Sequence, residues 1–573
     1  MSDDGIPSAD GHEDRNLGHV TSRRDVLRGA AALGAAAAGL PAVKHLGVTS
    51  TRPATSTRPD PSPTLWNGQQ VTQPIGLSSV GTPRRGGDLT WAWIFTPIAQ
   101  MDPQMPTTGD NGDLGTLLWI YDQLTNIKPG TLTNEAGLAE SWDVEQGGLV
   151  YTFHLRDAEF SNGDKVLASD VQFTLERFAN PKINSQYAFL NAIDKVEALN
   201  SNTVRVTLQY VQGMFPQVVG HATSGIVPQR VVEKLGKDFA QHPIGSGPFM
   251  FESKTPGQQI TLKRNPNYWK SPKPYIDSAT FTYVTDDDAR MLQVTRGLAD
   301  IGFNVPYALL EAYRDVPGTR LQLEPYTNVI LAVPNIKRPP LDEKNVRLAL
   351  NWATPRPAIN SAVFKNAPRI ANSAIGQLRY WDPTVPDIGY DLSKAKSYLA
   401  QSSVPKGFDT SLLIVGSDSD SVSVATILQS AWAEIGISLK IEDVDLDTMF
   451  ARFYSTTNPD YDINFFPPTY SSTDVGDDDE MALFFYEPLS VNFGGYFYDD
   501  PDANKLVNQA THSIDVPLRK KDFAALQRYC LFDDPPIIPF GFGPNAMLVN
   551  SRVQGLRTLL NQSWRLEDVW LNP

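Results

Sequence analysis

The chain contains 573 residues and carries a formal net charge of −15 at pH 7. This length suits two or three domains, and the acidity argues against nucleic acid or an anionic membrane as the partner. The single cysteine, Cys530, excludes an internal disulfide and any site built from clustered cysteines. The apolar residues next to Cys530 in the sequence indicate that its side chain is unreactive and packs in the core. The ordinary composition and the acidic charge predict a soluble protein. Because no phosphate-binding or zinc-binding motif is present, we expect neither a cofactor nor a resident metal.

An export signal is predicted over residues 1–48. Arg23 and Arg24 precede the small, apolar run Gly29–Leu40. This pattern is typical of a twin-arginine signal, so we expect the twin-arginine translocase as a partner during export and a periplasmic or other extracytoplasmic location. The run is shorter than the roughly 20 residues of a membrane span, but an uncleaved anchor stays open because no clear cleavage motif follows. No cysteine lies near the run, so no lipoprotein is predicted.

Residues 49–85 are predicted to be a spacer. They are rich in Ser, Thr and Pro and lack hydrophobic periodicity. Segments of this kind bury too little apolar surface to offset the entropy lost on ordering. We therefore expect the folded body to begin at Gly86.

Beyond the spacer, strand and helix patterns alternate. Val150–Arg156 and Thr203–Tyr210 carry apolar side chains at every second position, which is the period of a half-buried strand. Apolar residues recur at helical spacing over Val424–Ile435, and Gly436 follows where a helix commonly ends in a left-handed residue. The strand-like run Ile437–Ile441 comes next. This alternation favours α/β lobes over an all-α or all-β body.

Short phrases connecting these elements occur in a recognisable order. They are Gly137–Trp142, Tyr151–Asp157, Phe160–Asp164, Ala168–Val171, Pro243–Phe249, Leu262–Trp269, Gly297–Asp300, Val346–Ala353 and Tyr390–Ala395. In content and order they resemble the signature regions of the peptide- and nickel-binding solute-binding proteins of ABC transporters, known as family 5. The resemblance extends from about Gly86 to the C-terminus.

The resemblance implies an α/β protein with the class II periplasmic-binding-protein fold, in which a hinge joins two α/β lobes and lobe I carries an extra inserted subdomain. The implied segments are 86–117, 212–325 and 541–573 for lobe I, 118–211 for the subdomain and 326–540 for lobe II. The chain is expected to cross between lobes at Pro325–Asn328 and near Phe540. In the subdomain, Trp142 is expected to pack the core and Asp170 to cap a helix that starts at Val171.

Ligand contacts are expected on loops that face the gap between the lobes. From lobe I we select Trp93, within the predicted strand end Trp91–Phe95, because an aromatic side chain at a strand end can stack on a ligand. A core position for Trp93 stays equally open. Ser246 lies in the loop Ile244–Pro248, whose glycines let the backbone approach a ligand closely. Asn328 is selected at the predicted hinge.

Lobe II departs from the peptide-binding pattern. Family members that bind peptides place a tryptophan and then an aspartate where this chain has Pro468 and about Ser471, and that aspartate pairs with the peptide ammonium group. Asp474, three residues later, is the best remaining carboxylate. A buried ammonium group without a carboxylate partner is costly, so an ordinary peptide fits only if Asp474 compensates. Aromatic residues complete the predicted site: Phe466, Tyr470, Phe493 and Tyr496.

The sequence thus predicts a monomeric exported receptor that captures a peptide or peptide-like solute and delivers it to the permease subunits of an ABC importer. No enzymatic activity is expected. An oligosaccharide, an opine-like conjugate and a nickel chelate are the alternative ligands, and sparse histidines weaken the nickel hypothesis. The rival class is a secreted hydrolase, for which Asp462, Asp474 and Asp477 are the candidate carboxylates.

Overall fold

The fold is described from a computed structural model. It describes the backbone of residues 64–66 and 69–71 and, further along, residues 79, 81–94, 100–105, 111–128, 133–184, 192–323, 328–373, 379–455, 459–467, 498–559 and 564–573. Contacts divide the chain into Met1–Arg58, which lies outside these residues, and Pro59–Pro573. Among the helices described, none has the length and apolar character needed to cross a membrane.

Strands and helices alternate along most of the chain. The strands are β1 (Thr64–Trp66), β2 (Gln69–Val71), β3 (Asp88–Trp93), β4 (Thr125–Ile127), β5 (Asn134–Ala136), β6 (Ala139–Glu145), β7 (Val150–Leu155), β8 (Ile193–Asn200), β9 (Thr203–Leu208), β10 (Phe249–Thr255), β11 (Gln259–Arg264), β12 (Ser278–Tyr283), β13 (Ile301–Phe303), β14 (Thr319–Leu323), β15 (Asn328–Pro334), β16 (Arg369–Ile370), β17 (Asp409–Val415), β18 (Ser438–Val444), β19 (Ile463–Phe465), β20 (Ile538–Gly543), β21 (Ala546–Asn550), β22 (Val553–Gln554) and β23 (Trp570–Leu571). The α-helices are α1 (Asn111–Ile120), α2 (Ala168–Ala179), α3 (Phe215–Val218), α4 (Gln229–Leu235), α5 (Asp287–Thr295), α6 (Leu310–Tyr313), α7 (Lys344–Trp352), α8 (Arg356–Ala362), α9 (Leu392–Leu399), α10 (Ser419–Ala433), α11 (Leu446–Phe453), α12 (Pro501–Thr511) and α13 (Val516–Phe532).

Two mixed sheets form the centres of two lobes. The sheet of lobe I has seven strands in the order β10-β11-β12-β3-β13-β21-β14, and that of lobe II has six in the order β16-β20-β15-β19-β17-β18. In lobe I, β3 lies parallel to both β12 and β13. In lobe II, β17 lies parallel to both β18 and β19. Each sheet therefore presents the carboxyl ends of three parallel strands at one edge.

The lobe II strands and helices follow the sequence patterns closely. Leu412–Val415 in β17 is buried at every position, which is typical of a parallel strand covered on both faces. The predicted helix over Val424–Ile435 is confirmed as α10, which begins earlier because Asp418 caps it through the N–H of Ser421 at 2.8 Å. Gly436 follows with a φ of +86°, as predicted, since this left-handed conformation favours glycine.

A separate antiparallel sheet with the order β6-β7-β9-β8 carries the predicted strands of the inserted subdomain. The alternating apolar positions of β7 and β9 are buried, as their pattern predicted, and Trp142 packs against Phe153 with ring centroids 6.3 Å apart. The prediction for Asp170 is wrong. Helix α2 begins at Ala168, and the Asp170 carboxylate lies within its first turn, where it accepts the N–H groups of Leu167 and Gln229, both at 2.9 Å.

The chain passes twice between the two large sheets. The first crossing joins β14 to β15 between Leu323 and Asn328, and the second joins β20 to β21 between Gly543 and Ala546. The second crossing was predicted near Phe540 and lies a few residues later in the chain, because β20 continues in the lobe II sheet to Gly543. The exact limits of the lobes and of the subdomain stay predictions.

The amino-terminal edge of the folded body lies before Gly86. Strands β1 and β2 pair antiparallel within the predicted spacer. The guanidinium group of Arg85 donates two hydrogen bonds to the carbonyl of Pro272, at 3.0 and 3.1 Å. Near the other terminus, Cys530 is buried in α13, which confirms the packing role predicted for it.

Candidate functional site

A cavity of about 640 Å³ lies where the parallel strands of both sheets end. Open α/β sheets commonly bind ligands at the carboxyl ends of their strands, because loops and helix starts meet there. The lining from lobe I comprises Ile94, Tyr283, Thr285, Asp287, Phe303 and Asn304. The lining from lobe II comprises Val415, Gly416, Ser417, Asp418, Asp443, Val444, Asp445, Leu446, Asp447 and Pro467. The cavity is therefore an interlobe cleft.

Arg290, on α5, organises the lobe I side of the cleft. Its side chain is fully buried, and its guanidinium group donates to the carbonyls of Phe303 at 2.6 Å, Val284 at 2.9 Å and Asn304 at 2.9 Å. It also pairs with the carboxylate of Asp287. The loops after β12 and β13 are thus fixed to one another beneath the cleft. Burial raises the pKa of Asp287, and the Arg290 charge opposes this shift.

Aromatic rings form the wall behind these loops. Tyr283 is half-buried and Phe303 is buried where each reaches the cleft. Trp93 is only 4% exposed and lies outside the lining, stacked on Phe303 with ring centroids 4.7 Å apart and edge-on to Trp564 at 5.1 Å. The next residue, Ile94, lines the cleft instead. Trp93 therefore supports the wall from the core side.

Asn304 combines burial with an unusual backbone. Its φ is +66°, in the left-handed region that asparagine tolerates better than most residues. The side chain is 5% exposed, and its Oδ1 accepts no hydrogen bond from any described residue. A buried acceptor without a donor costs free energy, so a ligand N–H reaching Asn304 would relieve that cost.

Carboxylates dominate the lobe II side at the start of α10. Asp418 accepts the N–H of Ser421 at 2.8 Å and also the Ser421 hydroxyl. Asp420, two residues further along the chain, accepts the backbone N–H of Tyr307 at 2.9 Å. Burial raises the pKa of both carboxyl groups, and the charge of Asp418 raises that of Asp420 further. These two groups are costly to ionise together.

A second group of carboxylates lies where β18 leads into α11. Asp445 caps α11, accepting the N–H of Thr448 at 2.8 Å and its hydroxyl at 2.7 Å, and these bonds lower its pKa. Asp443 and Asp447 are exposed on either side of it. Neither of their carboxylates has a hydrogen-bond or ion-pair partner within the described part of the chain. Their charge is therefore directed at solvent and at the cleft.

The electrostatic character of the cleft follows from its composition. Five aspartates line it, namely Asp287, Asp418, Asp443, Asp445 and Asp447. No lysine, arginine or histidine belongs to the lining that the structure describes. Arg290 is fully buried beneath it and paired. The cleft is thus suited to ligands that bring positive charge and hydrogen-bond donors.

The structure places the other predicted site residues in different parts of the molecule. Phe466 directly follows β19 and is buried, with its ring centroid 4.8 Å from that of Phe453, and its neighbour Pro467 lines the cleft. Ser246 is buried away from the lining, in a loop where a side chain at Gly245 would collide with the carbonyl of Ile120. The backbone of Asn328 begins β15 at the first crossing. Outside the described residues are Tyr470, Asp474, Phe493 and Tyr496.

The hydrolase carboxylates have little support in the structure. Asp462 is already engaged by Arg338 at 2.9 Å and by the N–H and hydroxyl of Ser411, both at 2.9 Å. Asp474 and Asp477 are outside the described residues. His221 is buried and bonded to Thr223 at 2.7 Å, and burial lowers its pKa to about 3. Among the residues described, no three His, Cys, Asp or Glu side chains are grouped to hold a metal.

Several lining residues were not predicted from the sequence. Tyr283 and Asp443 lie at the ends of parallel strands, Asn304 and Asp447 lie just beyond such strands, and that position at a strand end was the available signal. The role of Arg290 depends on carbonyls from two separate loops. Sequence periodicity carries no information on such contacts.

The fold and site have counterparts among known proteins. The family model described as bacterial extracellular solute-binding proteins, family 5, middle region, matches residues 134–492. The chain belongs to this family. The match confirms the predicted family, and the relatives that the chain resembles are named as binding proteins.

Individual relatives agree with this assignment. The di/tripeptide-binding protein 1 of Pseudomonas aeruginosa is 28% identical over 471 residues, covering 77% of this chain and 86% of that protein. The periplasmic binding protein DppA from Helicobacter pylori, solved with the peptide STSA, has a TM-score of 0.75 at 24% identity and covers 86% of this chain and 99% of its own. AgaA from A. tumefaciens R10, solved with agropinic acid, has a TM-score of 0.76 at 25% identity, covering 85% and 99%. These likenesses confirm the predicted two-lobe fold with its inserted subdomain.

Proposed function

We propose that this chain is an exported receptor of an ABC importer, which captures a peptide or peptide-like solute in the interlobe cleft and delivers it to a membrane permease. The observation that carries the proposal is the cavity of about 640 Å³ between the strand ends of the two lobes. Its size lies within the range of about 300–1,000 Å³ that is usual for small-molecule sites. Two chain crossings join the sheets of the two lobes, and such a connection suits closure of the lobes on a ligand.

Relatives support a peptide-like ligand. One is named for di- and tripeptides and another was solved with the peptide STSA, while AgaA was solved with agropinic acid. An opine-like conjugate therefore remains the favoured alternative. An amide-rich solute also suits the cleft, because its walls combine carboxylates and the Asn304 acceptor with the rings of Tyr283 and Phe303.

Export, partners and assembly belong to the same proposal. The twin-arginine pair Arg23–Arg24 would direct the folded chain out of the cytoplasm. The receptor would then act as a monomer, binding one solute and contacting the permease with both lobes. No catalytic step is needed, because the solute is released unchanged.

Native mass spectrometry of the full chain, purified without refolding, tests this function. We expect a bound mass of one small molecule per chain, released intact on denaturation. Thr285→Trp should fill the cleft and abolish the bound mass, because Thr285 is exposed and lines it. Thr384→Trp, at an exposed threonine outside the lining, is the matched control and should retain it. A retained mass in Thr285→Trp, or hydrolysis of the solute, contradicts the proposal.

A further inference from the structure

We propose that the cleft selects an organic cation, a guanidinium or ammonium group of the solute, held by Asp443 and Asp447 of lobe II with Asn304 of lobe I as an acceptor. This inference rests on the proposed receptor function and specifies its ligand. The shared chemistry is a compact cationic group with several N–H donors. In a peptide it would be the side chain of arginine or lysine.

The balance of charge in the cleft is the first argument. Its described lining holds five aspartates and no basic side chain. Arg290 forms an ion pair with Asp287 alone among the five, and its other N–H groups are committed to backbone carbonyls. Like charges along one rim repel one another, so a cation bound there gains attraction from several carboxylates at once. An anionic solute would be repelled by the same carboxylates.

Helix capping explains only part of this acidity. Asp418 and Asp445 cap α10 and α11, and their carboxylates accept bonds from Ser421 and Thr448. Asp443 belongs to the end of β18 and caps no helix. Asp447 lies in the first turn of α11 but accepts no hydrogen bond from the described residues. Asp443 and Asp447 are thus exposed at the rim of the cleft, and their carboxylates accept no hydrogen bond from the described residues.

Asn304 supplies an independent observation from the opposite lobe. Its side chain is about nineteen-twentieths buried, with 5% exposure, and it lines the cleft with Oδ1 unpaired. An amide oxygen of this kind needs an N–H donor. Guanidinium and ammonium groups carry donors and no acceptor, so they match both Asn304 and the carboxylates.

The aromatic wall suits the same ligand. Tyr283 and Phe303 both line the cleft, and an organic cation placed over such rings is attracted by their negative faces. Guanidinium groups are planar and stack well on aromatic rings. Cation binding would therefore use the two rings of lobe I as well as the Asn304 acceptor.

Calorimetric titration of the full chain with three matched tripeptides tests the inference. The probes are Ala-Lys-Ala, Ala-Gln-Ala and Ala-Glu-Ala, with spermidine as a cation that is not a peptide. We expect Ala-Lys-Ala to bind at least about tenfold more tightly than Ala-Glu-Ala, with Ala-Gln-Ala between them. Raising the salt concentration from about 50 to about 500 mM should narrow this difference, since exposed carboxylates are screened.

Substitutions at the rim of the cleft test whether Asp443 and Asp447 cause the preference for a cationic peptide. Asp443→Asn and Asp447→Asn should each reduce the advantage of Ala-Lys-Ala over Ala-Gln-Ala by about twofold to fivefold. Asp502→Asn is the matched control, because Asp502 is the second residue of α12 as Asp447 is of α11, and it is also exposed. The control should leave all affinities unchanged.

The outcomes separate this inference from the receptor function. Equal affinities for the lysine, glutamine and glutamate peptides would overturn the cation preference and leave a peptide receptor intact. A preference unchanged in both rim variants would also overturn it. Binding of spermidine without any tripeptide would support the cation site while contradicting the peptide ligand. Absence of binding by all four probes would overturn the cation inference.

Discussion

The carboxylate of Asp420 accepts a hydrogen bond from the backbone N–H of Tyr307 at 2.9 Å. Asp420 is in α10 of lobe II, whereas Tyr307 follows β13 of lobe I. The hydroxyl of Tyr307 in turn donates to the carbonyl of Pro544 at 2.9 Å, within the second crossing between the sheets. The two lobes are thus joined beside the hinge through a buried carboxyl group.

This contact predicts a pH dependence of stability. Burial, together with the charge of Asp418, raises the folded-state pKa of Asp420 above its usual value of 3.8. As the pH rises from about 4 towards neutrality, the unfolded chain loses this proton first, so the free energy of unfolding should fall. Asp420→Asn keeps an acceptor for Tyr307 and removes the titration. Urea unfolding should therefore show that the free energy of unfolding falls less with rising pH in Asp420→Asn than in the wild type. Asp502→Asn, the control, should show the wild-type dependence. A fall of unchanged size in Asp420→Asn would contradict this explanation.

Asn304 provides a test of the lobe I side that spares the fold. Asn304→Gly removes the unpaired acceptor, and glycine accepts the φ of +66° without strain. We expect solute affinity to fall by about twofold to tenfold, the usual range for one hydrogen bond, with little change in stability. Asn366→Gly replaces another asparagine with positive φ, +58°, at an exposed position outside the cleft. Calorimetry should show a loss of solute affinity in Asn304→Gly and none in Asn366→Gly. Equal affinities in the two variants would contradict a contact between Asn304 and the solute.

Trp93 and Tyr283 are register partners on the parallel strands β3 and β12, yet we expect different effects from them. Trp93→Ala leaves a void among the rings of Phe303 and Trp564 and should lower the free energy of unfolding by about 3–5 kcal/mol. Tyr283→Ala removes a half-buried ring of the cleft wall and should mainly weaken binding. Denaturant unfolding and calorimetry on both variants measure the two effects. A stable Trp93→Ala protein with lost affinity would favour direct stacking of Trp93 on the solute.

Export is expected to depend on the arginine pair. Replacing Arg23 and Arg24 by lysine should leave the full chain in the cytoplasm, because the twin-arginine machinery reads the pair specifically. Arg84 and Arg85 form a second adjacent pair, and their double lysine variant is the matched control that should be exported normally. Cell fractionation distinguishes the two. Undiminished export of the Arg23/Arg24 variant would reject the twin-arginine signal.

Sequence patterns predicted the scaffold better than the cleft. Alternating residues such as Tyr151 and Phe153 predict a strand because each strand face has its own solvent exposure. The end of β3 was selected for Trp93 with a core position left open, and the structure places the Trp93 ring in the core while the next residue, Ile94, lines the cleft. Neighbouring strand residues face opposite sides of the sheet, so a shift of one position exchanges a core side chain for one that lines the cleft.

The remaining cleft residues depend on tertiary structure. Asp443 and Asn304 are far apart in the sequence and reach one cavity only because parallel strands of two sheets end there. The buried guanidinium group of Arg290 depends likewise on carbonyls supplied by separate loops. The sequence pattern DDAR at residues 287–290 looks like an ordinary exposed helix start.

Hydrogen exchange with and without saturating Ala-Lys-Ala tests most directly whether a solute is held between the two lobes. We expect slower exchange of backbone amides in residues 284–287 and 303–305 of lobe I and, at the same ligand concentration, in residues 416–418 and 443–447 of lobe II. All four segments meet at the cleft, so closure on one solute should protect them together. Protection confined to one lobe, or located away from these strand ends, would contradict an interlobe binding site.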